Sequence, residues 1–188
     1  MKGFLAIALA MIWVGSAHAQ FVKTKVTASN GVEVIQSVDE FAGRYEFTAP
    51  SIEFTTSKKG GTGFALVALL RTNTINSGAE IQGAIFYKGD WEYFNSAVFR
   101  GGGAVNYTRL GGDVGSCRYG CNLSEDFSIS LTAEEISKYA VDGVVEMQIR
   151  GTSSGNTAML KVPVAYIEAV TEVGNSSQQP SPESPEPG

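Results

Sequence analysis

The chain has 188 residues, with 14 basic and 19 acidic side chains and a net charge of −5. Loss of the leader predicted below removes Lys2, which leaves 13 basic against 19 acidic residues and a net charge of −6. A chain this acidic lacks the basic face of a nucleic-acid-binding protein and is weakly attracted to anionic membrane surfaces, so neither is an expected partner.

The first 19 residues have the pattern of a secretory signal peptide. Lys2 gives a positive start, residues 4–14 form an uncharged apolar run, and Ala17-His18-Ala19 offers small residues to a signal peptidase. The apolar run is shorter than the about 20 residues that span a bilayer. The sequence therefore predicts cleavage after Ala19 and a periplasmic or secreted protein with no membrane span after cleavage; an uncleaved anchor is the alternative.

The histidine content limits the chemistry of the cleaved chain. The sole histidine, His18, lies in the predicted leader. Residues 20–188 therefore lack the side chain that usually activates serine and cysteine nucleophiles and that most often ligates zinc. We expect no metal, no cofactor and no enzyme activity of these classes.

Short alternating apolar runs between glycine, asparagine and proline turns predict an all-β protein. The predicted strands, in chain order, are residues 21–29, 32–38, 44–48, 51–57, 64–70, 79–88, 91–100, 104–110, 127–131, 145–149 and 160–164. Asn30-Gly31 is the strongest short hairpin signal, and Pro50 marks an edge or a bend. Residues 64–70 are apolar on both faces, which favours a central strand. Residues 81–99 predict a hairpin.

Two further local signals concern the second half of the chain. Cys117 and Cys121 predict a disulfide that closes a tight turn in an exported protein. A redox pair or a metal site is the alternative, but the usual spacing and further ligands are missing. The capping box at residues 132–135 predicts one short helix, about residues 132–141, that ends at Gly143.

These elements predict one domain between two segments of different character. Residues 1–19 are the signal peptide, residues 20–172 an immunoglobulin-like antiparallel β-sandwich with one short helix, and residues 173–188 a tail rich in proline, serine and glutamate. Such a tail cannot bury enough apolar surface to offset its ordering entropy, so we expect it to be disordered.

Aromatic residues at the tip of the predicted hairpin are the candidate partner surface: Tyr87, Trp91, Tyr93 and Phe94. Exposed aromatic rings can stack on a sugar or anchor a protein, whereas cross-strand packing is the structural alternative. The acidic pairs Asp39-Glu40, Glu125-Asp126 and Glu134-Glu135 are interpreted as solvated surface. Glycoside hydrolysis would need two carboxylates across a cleft.

The C-terminal third of the domain resembles a recurring arrangement in small uncharacterised exported bacterial proteins. A cysteine-bearing hairpin precedes a helix cap, a strand ending in Arg-Gly and a closing segment. The matching residues are Leu131-Thr132, Glu134-Glu135-Ile136, Arg150-Gly151, Val162-Pro163 and Tyr166-Ile167. The resemblance implies an all-β, immunoglobulin-like exported domain and implies no activity.

The sequence thus predicts an exported, non-enzymatic β-sandwich that binds a protein or glycan of the cell envelope. Two alternatives stay open. One is a hydrolase of envelope polysaccharide that uses carboxylates alone, and the other is a structural subunit of a surface assembly, with the tail as a spacer. The sequence leaves the oligomeric state open.

Overall fold

The computed structural model describes residues 22–72, 74, 77–117 and 120–177. The predicted signal peptide lies outside these residues, as does the tail beyond residue 177, so both stay predictions. Within the described ranges, no helix combines the length and apolar character that crossing a membrane requires.

The described residues form twelve strands and two helices. In chain order they are β1 (Val22–Thr27), β2 (Glu33–Asp39), β3 (Arg44–Thr48), β4 (Ile52–Thr55), β5 (Thr62–Thr72), β6 (Glu80–Lys88), β7 (Phe94–Phe99), β8 (Asn106–Val114), β9 (Asn122–Ser130), α1 (Ala133–Tyr139), β10 (Ala140–Val141), β11 (Val144–Gly151), β12 (Thr157–Pro163) and α2 (Val164–Ser176).

The strands form two antiparallel sheets, which confirms the predicted all-β sandwich. The large sheet has the order β1-β2-β3-β5-β6-β9-β8, with β4 beside β5. In the small sheet, β12 lies along one edge of β11, and β7 and β10 pair with the other. Inward-facing residues of both sheets meet in one core, which includes Phe47, Leu69, Ile85, Phe127, Ile129, Met147, Ile149 and Leu160.

Several local predictions are confirmed in the large sheet. β1 and β2 form the expected hairpin around Asn30-Gly31, where Gly31 has a φ of +84°. β5 is a central strand, since it pairs with β6 on one side and with β3 and β4 on the other. The break between β3 and β4 falls at Pro50, as the missing amide hydrogen of proline requires.

The prediction of a hairpin over residues 81–99 is wrong. β6 is already paired on both edges, with β5 and β9, and β7 pairs with β11 in the small sheet. The chain therefore crosses from one sheet to the other at residues 89–93, which we call the crossing loop. Inward-facing Phe94, Ala97 and Phe99 explain the placement of β7, because they complete the core from the opposite side.

Helix α1 begins as predicted and ends earlier. The Thr132 hydroxyl accepts from the Glu135 amide at 3.2 Å, and the Glu135 carboxylate accepts from the Thr132 amide at 2.8 Å. Ala140 is already extended and pairs in β10. Gly143 instead turns the chain between β10 and β11, with a φ of +74°.

Helix α2 was not predicted, and it moves the end of the domain. It packs on β2, β3 and β5, and it buries Val170, Val173 and Gly174. Gly174 lies against Leu69 and Phe47 of the large sheet. The predicted boundary at residue 172 is therefore too early, because α2 continues through Ser176.

Candidate functional site

A buried carboxylate fastens the crossing loop to the large sheet. Glu125 lies on the inner face of β9 and is only 1% exposed. Its carboxylate accepts hydrogen bonds from the phenol of Tyr87 and from the amides of Tyr93 at 3.0 Å and Phe94 at 3.1 Å. The guanidinium of Arg109 pairs with it at 2.6 Å. These four donors satisfy and neutralise the buried charge.

Arg109 reaches this carboxylate because it pairs with Phe127, which lies on the same face of β9 as Glu125, and β8 becomes irregular directly after Arg109. Arg109 pairs in register with Phe127, but Gly111 already pairs with Asp126, so Leu110 is an extra residue on β8. Gly112 then lies on the inner face, opposite Glu125. A Cβ at Gly112 would lie 2.8 Å from the Trp91 ring and 2.7 Å from the Ser124 carbonyl oxygen, so only glycine leaves room here.

A second buried carboxylate holds the same loop from the other side. Glu92 is 1% exposed, and it pairs with Lys58 and accepts from the Ser154 hydroxyl at 2.5 Å. Its own amide donates to the Tyr87 phenol oxygen at 3.1 Å. Burial alone would raise the pKa of Glu92, but the hydrogen bonds from Lys58, Ser154 and Asn156 outweigh it and hold the pKa below its usual value.

Tyr87 joins the two carboxylates into one network. Burial, and then its hydrogen bond to Glu125, raise the pKa of Tyr87, so the phenol stays protonated and acts as a donor. We call Lys58, Tyr87, Glu92, Arg109 and Glu125 the carboxylate network. Every polar group that it presents to the core has a partner, so its evident effect is to fix the crossing loop in one conformation.

The crossing loop presents two aromatic rings at the surface, Trp91 and Tyr93, which we call the aromatic platform. Tyr93 is 48% exposed, and Trp91 is half-buried. The ring centroids are 6.3 Å apart, and the Arg109 guanidinium lies 5.8 Å from the Trp91 ring and 5.7 Å from the Tyr93 ring. Tyr93 has a φ of +52°, a conformation that non-glycine residues rarely adopt.

A pocket of about 400 Å³ opens beside the platform. It is lined by Gly89, Asp90, Trp91, Tyr93, Val114, Cys121, Leu123 and Ser153. Neither Glu92 nor Glu125 is among these residues. Within the described residues, no group of three or more histidine, cysteine, aspartate or glutamate side chains is placed to hold a metal ion.

The structure divides the four predicted aromatic candidates into two pairs. Tyr87 and Phe94 are 3% and 0% exposed and pack edge to face in the core, with centroids 5.9 Å apart. The prediction that they belong to a contact surface is therefore wrong, because their strands turn them inward. Trp91 and Tyr93 remain at the surface. The predicted disulfide between Cys117 and Cys121 is confirmed.

The buried charges were missed. Glu125 was expected to be solvated, yet it shares the inward-facing parity of Leu123 and Phe127 on β9. That alternation was visible in the sequence and placed a carboxylate on an apolar face. Nothing comparable marks Lys58, which begins a turn, or Glu92, which lies in a loop.

Comparison with known proteins assigns no relative. No family model, no curated protein and no solved structure matches the chain.

Proposed function

We propose that this chain is an exported, non-enzymatic β-sandwich protein that binds a protein or glycan of the cell envelope through the aromatic platform. The observation that carries the proposal is the conformation of Tyr93. It combines a positive φ of +52° with a side chain that is 48% exposed. Such backbone strain persists where the surroundings impose it, and it is concentrated at functional sites.

The surroundings of Tyr93 do impose this conformation. Its amide donates to the buried carboxylate of Glu125, and its carbonyl oxygen accepts from the amide of Thr152 at 3.3 Å. Arg109 lies against the ring. A ring held in this way loses little entropy on binding, and tryptophan and tyrosine are enriched among residues that dominate binding energy.

Export is supported by the leader pattern and by the cysteine pair. The disulfide between Cys117 and Cys121 suits an oxidising compartment, where such bonds persist. The leader supplies the route, with its positive start, apolar run and small-residue cleavage site.

A hydrolase that uses carboxylates alone has less support. The two buried carboxylates, Glu92 and Glu125, are each paired with a cation, and neither lines the pocket beside the platform. A general acid or base must reach the proton that it transfers. In their observed positions, both carboxylates fix the crossing loop instead.

The proposal is tested by capture of envelope material on the exported protein. Wild type, Tyr93→Ala and Phe41→Ala are immobilised and incubated with detergent-solubilised cell envelope. Phe41 is the matched control, since it is an aromatic residue that is 91% exposed in the turn between β2 and β3. We expect wild type and Phe41→Ala to retain the same component and Tyr93→Ala to lose it. Equal capture by all three proteins would refute the proposal.

A further inference from the structure

The pocket beside the aromatic platform is lined by polar side chains as well as by aromatic rings. Its walls combine the rings of Trp91 and Tyr93 with the carboxylate of Asp90 and the hydroxyl of Ser153. Both polar residues are exposed. A site of about 400 Å³ is in the range of small-ligand pockets, which combine apolar walls with a few placed polar groups.

From this combination we infer that the pocket binds a neutral pyranose ring of a glycan. A pyranose has one face of C–H groups and a rim of hydroxyl groups. The C–H face packs on the negative face of an aromatic ring, while a carboxylate accepts hydrogen bonds from two adjacent hydroxyls and a serine hydroxyl donates or accepts one. Tyr93 or Trp91 would supply the ring, and Asp90 and Ser153 the polar contacts.

The charge of the site selects neutral sugars over acidic ones. Asp90 is the charged residue among those that line the pocket, and it is negative. Two cations beside the site are already paired: Arg109 with the buried carboxylate of Glu125 at 2.6 Å, and Lys58, whose Nζ lies 3.8 Å from a Cβ placed at Gly89, with that of Glu92. A phosphate or uronate group would therefore meet a like charge at Asp90, which is unfavourable.

The size of the pocket also favours a sugar over a folded protein. A stable protein–protein contact buries about 800 Å² on each partner, across a broad face. The aromatic residues that line this pocket are two, Trp91 and Tyr93, around a volume of about 400 Å³. This inference rests on the proposed function and names its ligand class.

Trp91 makes the inference directly measurable. The chain has two tryptophans, and the other, Trp13, lies in the predicted leader. The exported protein, with cleavage checked by intact mass, would therefore report on the platform through its tryptophan emission. The probes are maltotetraose, cellotetraose, chitotetraose and mannotetraose, each used up to about 10 mM so that a site of millimolar affinity saturates. Trigalacturonate is the acidic control.

We expect a saturable change in emission with at least one neutral tetrasaccharide and none with trigalacturonate. Tyr93→Ala should weaken that binding about tenfold and Asp90→Asn about fivefold, because one removes a stacking ring and the other a charged acceptor. Phe41→Ala should bind as wild type does. Thermal melting of each variant verifies that it is folded.

Three results would overturn the sugar inference: no saturable change with any neutral tetrasaccharide, equal binding of trigalacturonate, or binding unaffected by Tyr93→Ala and Asp90→Asn. The capture experiment separates this failure from that of the proposed function. If Tyr93-dependent capture yields a polypeptide without glycan, the platform binds a partner but the pocket does not bind sugar. If capture does not depend on Tyr93, both proposals fail.

Discussion

At the scale of single residues, the buried carboxylate of Glu125 has four donors. Replacing it with leucine would leave the Tyr87 phenol and the amides of Tyr93 and Phe94 without an acceptor, and Arg109 without its counter-charge. We expect Glu125→Leu to lower the free energy of unfolding by about 3 kcal/mol or more. Urea denaturation followed by far-UV circular dichroism measures the loss.

Two variants calibrate that loss. Glu125→Gln keeps the shape and one acceptor oxygen, so a smaller loss of about 2 kcal/mol is expected. Asp126→Asn changes the next residue, whose side chain lies on the other face of β9, and should stay within about 0.5 kcal/mol of wild type. A Glu125→Leu protein as stable as wild type would show that the network does not hold the crossing loop.

Glu92 makes a separate, pH-dependent contribution. Although burial opposes it, hydrogen bonding from Lys58 and Ser154 keeps the pKa of Glu92 in the folded state below the ordinary value of 4.5. A lowered folded-state pKa stabilises the protein above that value, and the stabilisation is lost as the pH falls below it. We expect Lys58→Met to lower the free energy of unfolding at pH 7 and to make its decline below pH 4.5 shallower.

The measurement is the free energy of unfolding of wild type and of Lys58→Met from about pH 7 to pH 3, and the informative quantity is the difference between the two. Glu146 and Glu172 also have lowered pKa values, because Lys161 and Ser29 donate hydrogen bonds to them. Both glutamates are unchanged in Lys58→Met, so their contributions cancel. Parallel curves for wild type and variant would contradict the role assigned to Lys58.

At the scale of elements, α2 decides where the domain ends. Truncation after Glu172 removes the buried Val173 and the Gly174 carbonyl oxygen that accepts from Arg71 at 2.9 Å. We expect this truncation to lower the free energy of unfolding by about 2 kcal/mol, the value of one buried valine. Truncation after Ser177 keeps all of α2 and should unfold at the same urea concentration as the full chain. Equal stability of both truncations would place the boundary where the sequence predicted it.

The strands and α1 could be predicted because their signals are local. Alternation along β11 and the Thr132 capping box specify their elements within a few residues. α2 lacks such signals, since Pro163 precedes it without a side-chain cap and no acidic residue lies in its first turn. Its helical form is stabilised by packing on Leu69 and Phe47, which are distant in sequence.

The candidate site could not be predicted in full for the same reason, because it is formed by contacts between residues that are distant in sequence. The sequence showed the four aromatic residues in and beside the crossing loop. Which of them face inward depends on the passage of the chain from β6 in the large sheet to β7 in the small sheet. Tyr87 and Phe94 belong to strands that contribute to the core, whereas Trp91 and Tyr93 lie between those strands. The partners Lys58 and Arg109 come from other elements, and no local pattern relates them to Glu92 and Glu125.

At the scale of the whole molecule, the two sheets share one core, and the chain passes from the large sheet to the small sheet at the crossing loop. The carboxylate network joins β6, β8 and β9 to that loop, and Thr152 and Ser153, just after β11, donate to the carbonyl oxygen of Glu92. Loosening the loop would expose core residues of both sheets. We therefore expect the sheets to unfold together rather than in sequence.

The disulfide acts through the unfolded chain, whose conformational entropy it lowers by closing a small ring. A ring closed over four residues of separation, from Cys117 to Cys121, contributes about 2 kcal/mol on the loop-entropy model. The double variant Cys117→Ser, Cys121→Ser should lose about that amount, with emission of Trp91 and far-UV circular dichroism giving coincident urea transitions. Cys121 also lines the pocket beside Trp91. An emission transition that precedes the circular-dichroism transition would mean that the disulfide steadies only the pocket, and that the two sheets do not depend on it.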